Sequence, residues 1–439
     1  MRDPQRRICQ IRSVLARGTI VTLLGTLLAA CGGEGTSGYM TTAISSSSSG
    51  ASSSASGAAA TLTVLYSFPT GKAPTALAGG VVQGSDGNLF GLGGQEGLFR
   101  LSLDGAETDE SFNFGTETAA GGLPGVPNGP LVLGPDGMLY DTVGCLSGLV
   151  NGAVFSSDLL GNAVILYTNE YAAGDGCDFP PPKDLISAPN GTLYFDNDYF
   201  GSGEVDGLMT AAPYQFSFRG QGAGGVNMIG RDGNLYGVQS GGAYGDGTFY
   251  TLTAITGVSQ AQILYSFGAT PNDASRPTQA PVQGLDGNFY GTSAGGSNTS
   301  SCPAGCGAVY RITPAGDESV LYSFGSNPVD QASPMCSPGP LTLGSDGNFY
   351  GIYCSVIFQI TPLGQETVLH TMTAADGQQI ANSLLQANDG NFYGVTTTGG
   401  ANNAGTVFKL QVPGSHHQIV SDWSWPPVAF RPELPELDP

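Results

Sequence analysis

The sequence predicts an all-β fold, a seven-bladed β-propeller closed by an N-terminal strand that joins the last blade. The main observation is a short phrase that returns seven times, in which a turn residue is followed four positions later by an aromatic residue. The turn residues are Asp86, Asp136, Asn190, Asp232, Asp286, Asp346 and Asp389. The aromatic residues are Phe90, Tyr140, Tyr194, Tyr236, Tyr290, Tyr350 and Tyr393. A fixed offset that recurs roughly every 42 to 60 residues indicates a repeat architecture.

Each repeat has the pattern of four short antiparallel strands. In the sixth copy, alternating apolar residues lead into Asp346-Gly347, and the return strand begins at Phe349. Asp-Gly between apolar runs predicts a type I′ hairpin, in which both central residues have positive φ. Two further strands follow, separated by Pro362 and Gly364, because Pro and Gly stop a strand. Four such strands repeated around an axis form a propeller blade.

The two ends of the repeat region complement each other. The last copy stops after its third strand at Leu410, and residues 61–68 have the pattern of a fourth strand with nothing before it. We therefore expect residues 61–68 to complete the seventh blade beside residues 382–411, which leaves no wide sheet edge unpaired. In copies one and three, residues 111–114 and 215–218 stand in for the fourth strand. The alternative is an open β-solenoid, whose terminal caps are not visible in the sequence.

Residues 1–30 are predicted to be a bacterial lipoprotein signal peptide. A basic front precedes an apolar stretch that is too short to span a bilayer. The Leu-Ala-Ala-Cys sequence that ends at Cys31 resembles the lipobox, in which the cysteine receives the lipid. Gly32 after this cysteine favours the outer membrane. The predicted location is therefore the bacterial cell envelope, with an ordinary signal peptide and a chance cysteine as the alternative.

The rest of the chain divides by composition. Residues 31–60 are rich in Ser, Gly and Ala and are predicted to form a flexible tether. The propeller is predicted over residues 61–413. Residues 414–439 are a Pro-rich acidic tail that contains Trp423 and Trp425. The sequence leaves open whether this tail is disordered or forms a strap over a blade.

Charge and histidine content narrow the possible partners and chemistry. The chain has 14 Lys and Arg against 35 Asp and Glu, with a formal net charge of −21. Such a surface repels nucleic acid and anionic lipid head groups, so we expect membrane association only through the lipid anchor. The only histidines are His370, in a predicted strand, and His416 and His417, in the tail. This placement argues against a Ser-His-Asp triad or a histidine metal centre on the loops.

Six cysteines lie in the predicted propeller, namely Cys145, Cys177, Cys302, Cys306, Cys336 and Cys354. An even number in an oxidising compartment predicts disulfides. Cys145 and Cys177 fall on neighbouring loops of one blade, as do Cys336 and Cys354. The remaining two are close enough in sequence to close a local loop. A metal site is the alternative for that local pair, although no partner His or second Cys pair accompanies it.

Ligand binding is predicted on one face of the ring. The short, uniform turns share one face, whereas the longer and more variable connections share the other and carry all six cysteines. Variable loops on a rigid scaffold are where binding sites concentrate. Tolerated surface insertions are the alternative. The aromatic residues that could stack on a sugar ring there are Tyr171, Tyr199, Phe200 and Tyr244.

One variable loop is rich in carboxylates. Asp196, Asp198, Glu204 and Asp206 offer hard oxygen ligands that could hold Ca²⁺, although their spacing does not match an EF-hand. Ca²⁺ is the one cofactor that the sequence suggests. The repeated turn aspartates are expected to shape the turns, because Asn190 replaces one of them. The sequence therefore predicts no catalytic residue.

The repeats resemble the GloVer tandem-repeat family of exported bacterial proteins. The resemblance is carried by Asp286 to Thr292, by Asp389 to Lys409, and by Leu-Tyr-Ser-Phe at 65–68, 264–267 and 321–324. It covers about residues 61–411. It is weaker in the first three copies, where Asp141 and Phe195 replace the usual Gly. The resemblance implies a propeller-like surface protein with one of several anchors, and it supplies no catalytic residues.

Together these patterns predict a lipid-anchored binding module of the cell envelope. It would present one loop-rich face to a carbohydrate or protein ligand, with no nucleic-acid partner. One alternative is a carboxylate-based polysaccharide hydrolase or lyase, since the loop acids could supply a carboxyl pair. Another is a structural spacer without a ligand. The sequence leaves enzymatic activity open and favours a binding module.

Overall fold

The computed structural model forms a ring of seven antiparallel sheets, each of which is one blade. The structure describes residues 59–70, 80–93, 97–106, 129, 131–144, 152–168, 183–196, 205–209, 215–218, 226–253, 261–270, 273–277, 279, 281–296, 302, 305–327 and 336–415. The predicted signal peptide, the tether up to residue 58 and the tail from residue 416 lie outside these ranges. Within the described residues there is no helix with the length and hydropathy needed to cross a membrane.

The first blades follow the chain order. Blade 1 contains β2 (Val81–Gln83), β3 (Leu89–Gly93) and β4 (Gly97–Leu101). Blade 2 contains β5 (Val132–Leu133), β6 (Leu139–Val143), β7 (Ala153–Ser157) and β8 (Ala163–Thr168). Blade 3 contains β9 (Lys183–Ser187), β10 (Thr192–Asp196), β11 (Val205–Met209) and β12 (Gln215–Phe218). The fourth strand expected for blade 1, at residues 111–114, lies outside the described residues.

The later blades repeat the same order. Blade 4 contains β13 (Val226–Ile229), β14 (Leu235–Gln239), β15 (Thr248–Leu252) and β16 (Gln262–Ser266). Blade 5 contains β17 (Ala274–Pro277), β18 (Val282–Gln283), β19 (Phe289–Gly296), β20 (Ala308–Ile312) and β21 (Glu318–Ser323). Blade 6 contains β22 (Thr342–Leu343), β23 (Phe349–Tyr353), β24 (Val356–Ile360) and β25 (Glu366–Thr371). Blade 7 contains β26 (Gln378–Gln386), β27 (Phe392–Thr398), β28 (Thr406–Gln411) and β1 (Thr61–Ser67).

The N-terminal strand closes the ring, as the sequence predicts. β1 pairs antiparallel with β28, from Thr61 opposite Gln411 to Ser67 opposite Thr406. A second link joins blade 7 to blade 1, because the Asn388 amide donates to the Gln83 side chain at 2.8 Å. Closure pairs the strand edge that blade 7 would otherwise expose.

Apolar clusters fill the interfaces between blades. The aromatic residue of the repeated phrase faces the following blade, so that Tyr350 packs on Phe392 with ring centroids 4.0 Å apart. Tyr290 stacks on Phe349 at 4.1 Å in the same way. Seven buried clusters each combine residues of two neighbouring blades, including one between blades 7 and 1. The core is therefore a ring of interfaces between sheets.

The structure corrects the predicted turn type. In the first repeat the Gly87 amide donates to the Gly84 carbonyl at 2.9 Å, and the Gly84 amide donates to the backbone carbonyl of Asn88 at 2.8 Å. Only Gly87 has a positive φ, of 85°, so the turn is type I followed by a left-handed glycine rather than type I′. The other six repeats share the left-handed glycine at the same place.

The repeated aspartate has a structural role in these turns. In the fifth repeat Asp286 accepts hydrogen bonds from the Asn288 amide at 3.1 Å and from the Tyr290 hydroxyl at 2.7 Å. Burial opposes ionisation of Asp286, but these bonds outweigh it and lower the pKa of the carboxyl group. In the first repeat Phe90 has no hydroxyl, and Arg100 pairs with Asp86 at 2.6 Å instead.

Two repeats depart from the usual glycine after the aromatic residue. That glycine lies opposite an aromatic residue of the third strand, and a Cβ on Gly351 would meet the Phe358 ring at 2.5 Å. In blade 2, Asp141 is opposite Phe155; in blade 3, Phe195 is opposite Asp206. Both blades therefore replace the glycine–aromatic pair with an aspartate–phenylalanine pair, in opposite order.

Two of the three expected disulfides are formed in the structure. Cys302 bonds to Cys306, and Cys336 bonds to Cys354. Cys336 precedes blade 6 and Cys354 lies between its second and third strands, so this disulfide joins two connections of one blade. Cys145 and Cys177 lie outside the described residues, and their pairing stays a prediction.

Candidate functional site

The antiparallel strands sort the connections between two faces of the ring. The turn face carries the Asp-Gly turns and the turns between the third and fourth strands of each blade. The loop face carries the connections between the second and third strands and those between blades. The candidate site lies on the loop face where blade 4 meets blade 5.

Tyr244 occupies the tip of a hydrogen-bonded loop on this face. The loop, residues 241–247, is closed by the Gly247 amide donating to Gly241 at 2.8 Å and by Gly245 donating to Gly242 at 3.3 Å. All four of these glycines have positive φ, a conformation that other residues rarely adopt. The loop backbone is therefore fixed, and it leaves Tyr244 58% exposed.

Two groups of opposite charge lie beside this tip. The Arg276 amide donates to the carbonyl of Asp246 at 2.7 Å, which joins the loop to the link between blades 4 and 5. Arg276 is exposed and has a positive φ of 55°. Its guanidinium reaches the Ala294 carbonyl at 3.5 Å. An aromatic ring, a carboxylate and a guanidinium thus share one small area of the loop face.

A buried aspartate supports the link from beneath. Asp273 is 4% exposed and accepts hydrogen bonds from the Tyr265 hydroxyl at 2.7 Å and from the Gly268 and Ala269 amides at 2.8 Å. Burial is the main cause that raises the pKa of Tyr265, with Asp273 second and a small electrostatic contribution from Tyr244. Asp273 therefore ties the link to the outer strand of blade 4 through Tyr265.

A second carboxyl group meets Asp273 in this support. Burial and then the neighbouring Asp273 raise the pKa of Glu318 to about 8, and the two side chains share a hydrogen bond. Glu318 therefore keeps its proton at neutral pH. Asp273 is 4% exposed, so the pair lies in the support of the link and not at the exposed surface beside Tyr244. This geometry favours a structural role for the pair.

The structure places only part of the predicted site. Tyr171, Tyr199, Phe200, Asp198 and Glu204 lie outside the described residues, and their roles stay predictions. Among the predicted aromatic residues, Tyr244 is the one within the described ranges. Sequence reasoning missed four residues beside it, which are Asp246, Arg276, Asp273 and Glu318. The glycines around Tyr244 were the one local signal that this loop is held in a fixed shape.

The two described members of the predicted Ca²⁺ set are buried. Asp196 lies opposite Val205 and Asp206 opposite Phe195, so the two side chains point to opposite faces of blade 3. Lys183 pairs with Asp196 at 3.3 Å. Among the described residues, no three His, Cys, Asp or Glu side chains are grouped so that they could hold a metal ion. The Ca²⁺ site stays a prediction that depends on Asp198 and Glu204.

Asp141 is a further buried acid near the loop face. It is fully buried in blade 2, and the Thr142 amide donates to it at 2.6 Å. Burial raises the pKa of Asp141 well above its usual value, although the Thr142 and Gly129 amides oppose this shift. Asp141 is therefore an internal group rather than a member of the exposed site.

The fold and this site define a closed seven-bladed propeller with a loop face suited to ligands. Residues 223–428 match the family model described as the Gloeobacter/Verrucomicrobia repeat. This match confirms, over that part of the chain, the resemblance expected from the sequence. No curated protein matches the sequence.

Several solved structures are similar to this chain at low identity. One is described as the extracellular domain of a candidate one-component system from B. thetaiotaomicron, with 11% identity and a TM-score of 0.48 over 79% of this chain. Another, from a candidate hybrid two-component system of B. thetaiotaomicron, has 11% identity and a TM-score of 0.49 over 80%. This chain spans 39% and 41% of the lengths of those two chains. Kuenenia stuttgartiensis hydrazine synthase has 14% identity and a TM-score of 0.48, with coverage of 78% and 98%.

Proposed function

We propose that the protein is a lipid-anchored module of the bacterial cell envelope that binds a carbohydrate or protein ligand through its loop face. The observation that carries the proposal is Tyr244, which is 58% exposed on a loop with a fixed backbone. Burial of an exposed aromatic ring by a ligand is favourable, and a fixed loop loses little conformational entropy on binding. The Tyr244 loop is therefore the centre of the proposed site.

A carbohydrate is the ligand class that these side chains suit best. The ring of Tyr244 offers a flat apolar surface for the face of a sugar. Asp246 can accept hydrogen bonds from sugar hydroxyls, and the Arg276 guanidinium can donate them. A few polar groups placed around an apolar surface are typical of small-molecule sites.

The proposal is tested by retention of the full-length protein on a glycan array and on immobilised polysaccharides. Wild-type protein should be retained, and Tyr244→Ala should need a higher ligand density for the same retention. Retention of Tyr244→Ala equal to wild type would contradict the proposed site. Absence of retention on every glycan would overturn the carbohydrate assignment and leave the protein-ligand form of the proposal to a pull-down with envelope proteins.

Two further arms of the same experiment address the alternatives. New reducing ends in the polysaccharide samples would identify a hydrolase or lyase and overturn the binding-module assignment. Loss of retention with a chelator would support Ca²⁺ at the loop that contains Asp198 and Glu204. The matched variant for that arm is Asp198→Asn, which removes one candidate ligand and keeps the tyrosine at position 244.

A further inference from the structure

Arg276 is a cation of the loop face whose guanidinium is available to a ligand. Two described cations lie on this face, and the other one, Lys183, pairs with Asp196 at 3.3 Å. The Arg276 guanidinium contacts the Ala294 carbonyl at 3.5 Å and has no carboxylate partner among the described residues. An arginine side chain has several N–H donors, so most of those of Arg276 can still donate. Carboxylates are plentiful in a chain with a formal net charge of −21, and the lack of an ion pair therefore follows from where the backbone holds Arg276.

The backbone of Arg276 is fixed at the junction of blades 4 and 5. Its φ of 55° is left-handed, and its amide donates to the Asp246 carbonyl at 2.7 Å. The guanidinium lies over Gly295 of β19, because a Cβ on that glycine would be 2.8 Å from the Arg276 Nη2 atom. A side chain on a fixed backbone, already in contact with the protein surface, loses less conformational entropy when it binds a ligand.

The carboxyl group of Asp246 is directed away from this guanidinium. A Cβ on Gly268, which follows the outer strand of blade 4, would lie 2.5 Å from the Asp246 Oδ2 atom. The carboxyl group therefore lies against blade 4, whereas the guanidinium lies against blade 5. The two charges stay apart although the backbones of their residues are hydrogen bonded. A ligand that spans the junction meets a hydrogen-bond acceptor on one side and a cation on the other.

Blade 7 has the same backbone at this place and a neutral side chain. Gln379 has a φ of 53° and occupies the position in β26 that Arg276 occupies in β17. The Thr397 hydroxyl lies 3.3 Å from both the carbonyl oxygen and the side-chain oxygen of Gln379. The residue of blade 5 equivalent to Thr397 is Ala294, which has no hydroxyl. The side chain is therefore tied to its own blade by a hydroxyl in blade 7, whereas in blade 5 it carries a charge and lacks that bond.

We infer that the site at the junction of blades 4 and 5 binds an acidic sugar whose carboxylate is held by Arg276, an inference that rests on the proposed carbohydrate function of the loop face. A planar guanidinium can donate two parallel hydrogen bonds to a carboxylate. A carboxylate carries a single negative charge, which one guanidinium balances. A phosphate group carries more charge and would leave part of it unbalanced on this acidic surface.

The positions of the three side chains also set the orientation of the sugar. Its carboxylate is directed toward blade 5 and Arg276. Its hydroxyls are directed toward Asp246 on the blade 4 side, because a carboxylate in that place would be repelled. The apolar face of the sugar ring covers Tyr244. The site therefore distinguishes an acidic sugar from its neutral counterpart through a single side chain.

The test compares acidic polysaccharides with their own neutral forms. Full-length protein is titrated on immobilised polygalacturonate and alginate, and on the same polymers after reduction of their carboxyl groups to alcohols. The wild type should bind the acidic forms ~10-fold more tightly, because hydrogen bonds between charged groups are the stronger ones. Arg276→Gln should bind both forms equally. This substitution suits the backbone, since Gln379 adopts the same left-handed φ in blade 7.

Two variants separate this inference from the function on which it rests. Tyr244→Ala should weaken binding of the acidic and the neutral forms by the same factor, because the ring contacts the face of the sugar and not its carboxylate. Gln379→Ala is the matched control for position 276, and it should change neither affinity. Unchanged circular dichroism of each variant verifies that the ring is intact.

Four results would overturn the inference. Equal binding of acidic and neutral forms by the wild type would remove the acidic sugar and keep the carbohydrate function. An acidic preference that persists in Arg276→Gln would remove the role of Arg276. Equally tight binding of dextran sulfate would show that any anion suffices and would remove the carboxylate. Binding of neither form would overturn the inference, and the carbohydrate function would fall with it only if the wider glycan array were also negative.

Discussion

Residues 241–247 of blade 4 and residues 399–405 of blade 7 form two loops with the same backbone and different tips. In each loop the amide of the last glycine donates to the carbonyl of the first glycine, at 2.8 Å in blade 4 and 3.0 Å in blade 7. Where blade 4 has the exposed Tyr244, blade 7 has Asn402, whose side chain donates to the Phe68 carbonyl at 3.1 Å. The comparison shows that one loop frame can serve closure of the ring in one blade and exposure of an aromatic residue in another.

The links between blades show the same contrast. Glu318 and Glu366 are the first residues of the outer strands of blades 5 and 6. Glu318 meets the carboxyl group of Asp273, whereas Glu366 accepts a hydrogen bond from the Asn327 amide group at 3.4 Å. Equivalent places thus hold a carboxyl pair that needs a proton and a carboxyl–amide pair that does not. The blade 4–5 junction differs from its counterparts both at its surface and in its support.

The largest expected effect on stability comes from a substitution that distorts the backbone of the loop shared by blades 4 and 7. Gly405 has a φ of +88°, and a Cβ there would collide with the Thr396 backbone carbonyl. Gly405→Ala should therefore lower the free energy of unfolding by about 3 kcal/mol, measured by urea denaturation. Gly241→Ala is the matched control, because its φ is +92° but nothing lies within 4 Å of its Cβ. Equal losses for the two variants would show that backbone conformation alone, without the collision, sets the cost.

The carboxyl pair at the blade 4–5 junction should make the free energy of unfolding depend on pH, whereas the equivalent Glu366 at the next junction should not. Glu318 has a pKa of about 8 in the folded protein against a usual value of 4.5, so the folded state binds the proton more tightly. Its contribution to stability is therefore highest below pH 4.5 and falls as the pH rises toward about 8. Glu318→Gln should flatten the decline of unfolding free energy over this range. Glu366→Gln should keep the wild-type slope, and a wild-type slope in Glu318→Gln would contradict the shared proton.

The tip of the blade 4 loop should matter for binding and not for stability. Removal of the exposed ring in Tyr244→Ala should cost about 2 kcal/mol of binding free energy, or ~30-fold in Kd, on a glycan retained by the wild type. Its melting temperature should stay at the wild-type value because the ring makes little contact with the core. Isothermal titration and thermal denaturation of the same samples measure both quantities.

The tip of the blade 7 loop should behave in the reverse way. Asn402→Ala removes one hydrogen bond to Phe68 and should lower the free energy of unfolding by about 1 kcal/mol. Its affinity for the same glycan should equal that of the wild type. A loss of affinity in Asn402→Ala comparable to that in Tyr244→Ala would mean that the two loops share one binding role, and the contrast between them would be lost.

The fold could be predicted because each repeat carries the pattern of one blade within its own short sequence. The fixed offset between turn residue and aromatic, the alternation before each turn and the unmatched strand at residues 61–68 all predicted blades and closure. The turn type was predicted wrongly because an Asp-Gly pair is compatible with two hairpin turns. The choice between them depends on the length of the hairpin loop. Here Ser85 and Asp86 form the type I corner of a three-residue loop, and Gly87 alone takes the left-handed conformation.

The candidate site was predictable only where a single loop contains it. Tyr244 was found because its own loop is variable and aromatic. Arg276 reaches Asp246 only because blades 4 and 5 are adjacent in the ring. Glu318, in the outer strand of blade 5, reaches Asp273 in the link between the two blades, 45 positions earlier in the chain. Residues that approach each other across a blade interface leave no local pattern in the sequence. Only the assembled ring identifies them as neighbours.

The pairing of β1 with β28 has a mechanical consequence. The N-terminal end of β1 leaves the ring at the turn face, while the proposed ligand is held on the loop face. Tension between a lipid anchor and a bound ligand would then run roughly along the axis of β1. The hydrogen bonds between β1 and β28 would resist it together, in shear, instead of opening one after another. The strand that closes the ring would also be the part of the protein that carries the load between membrane and ligand.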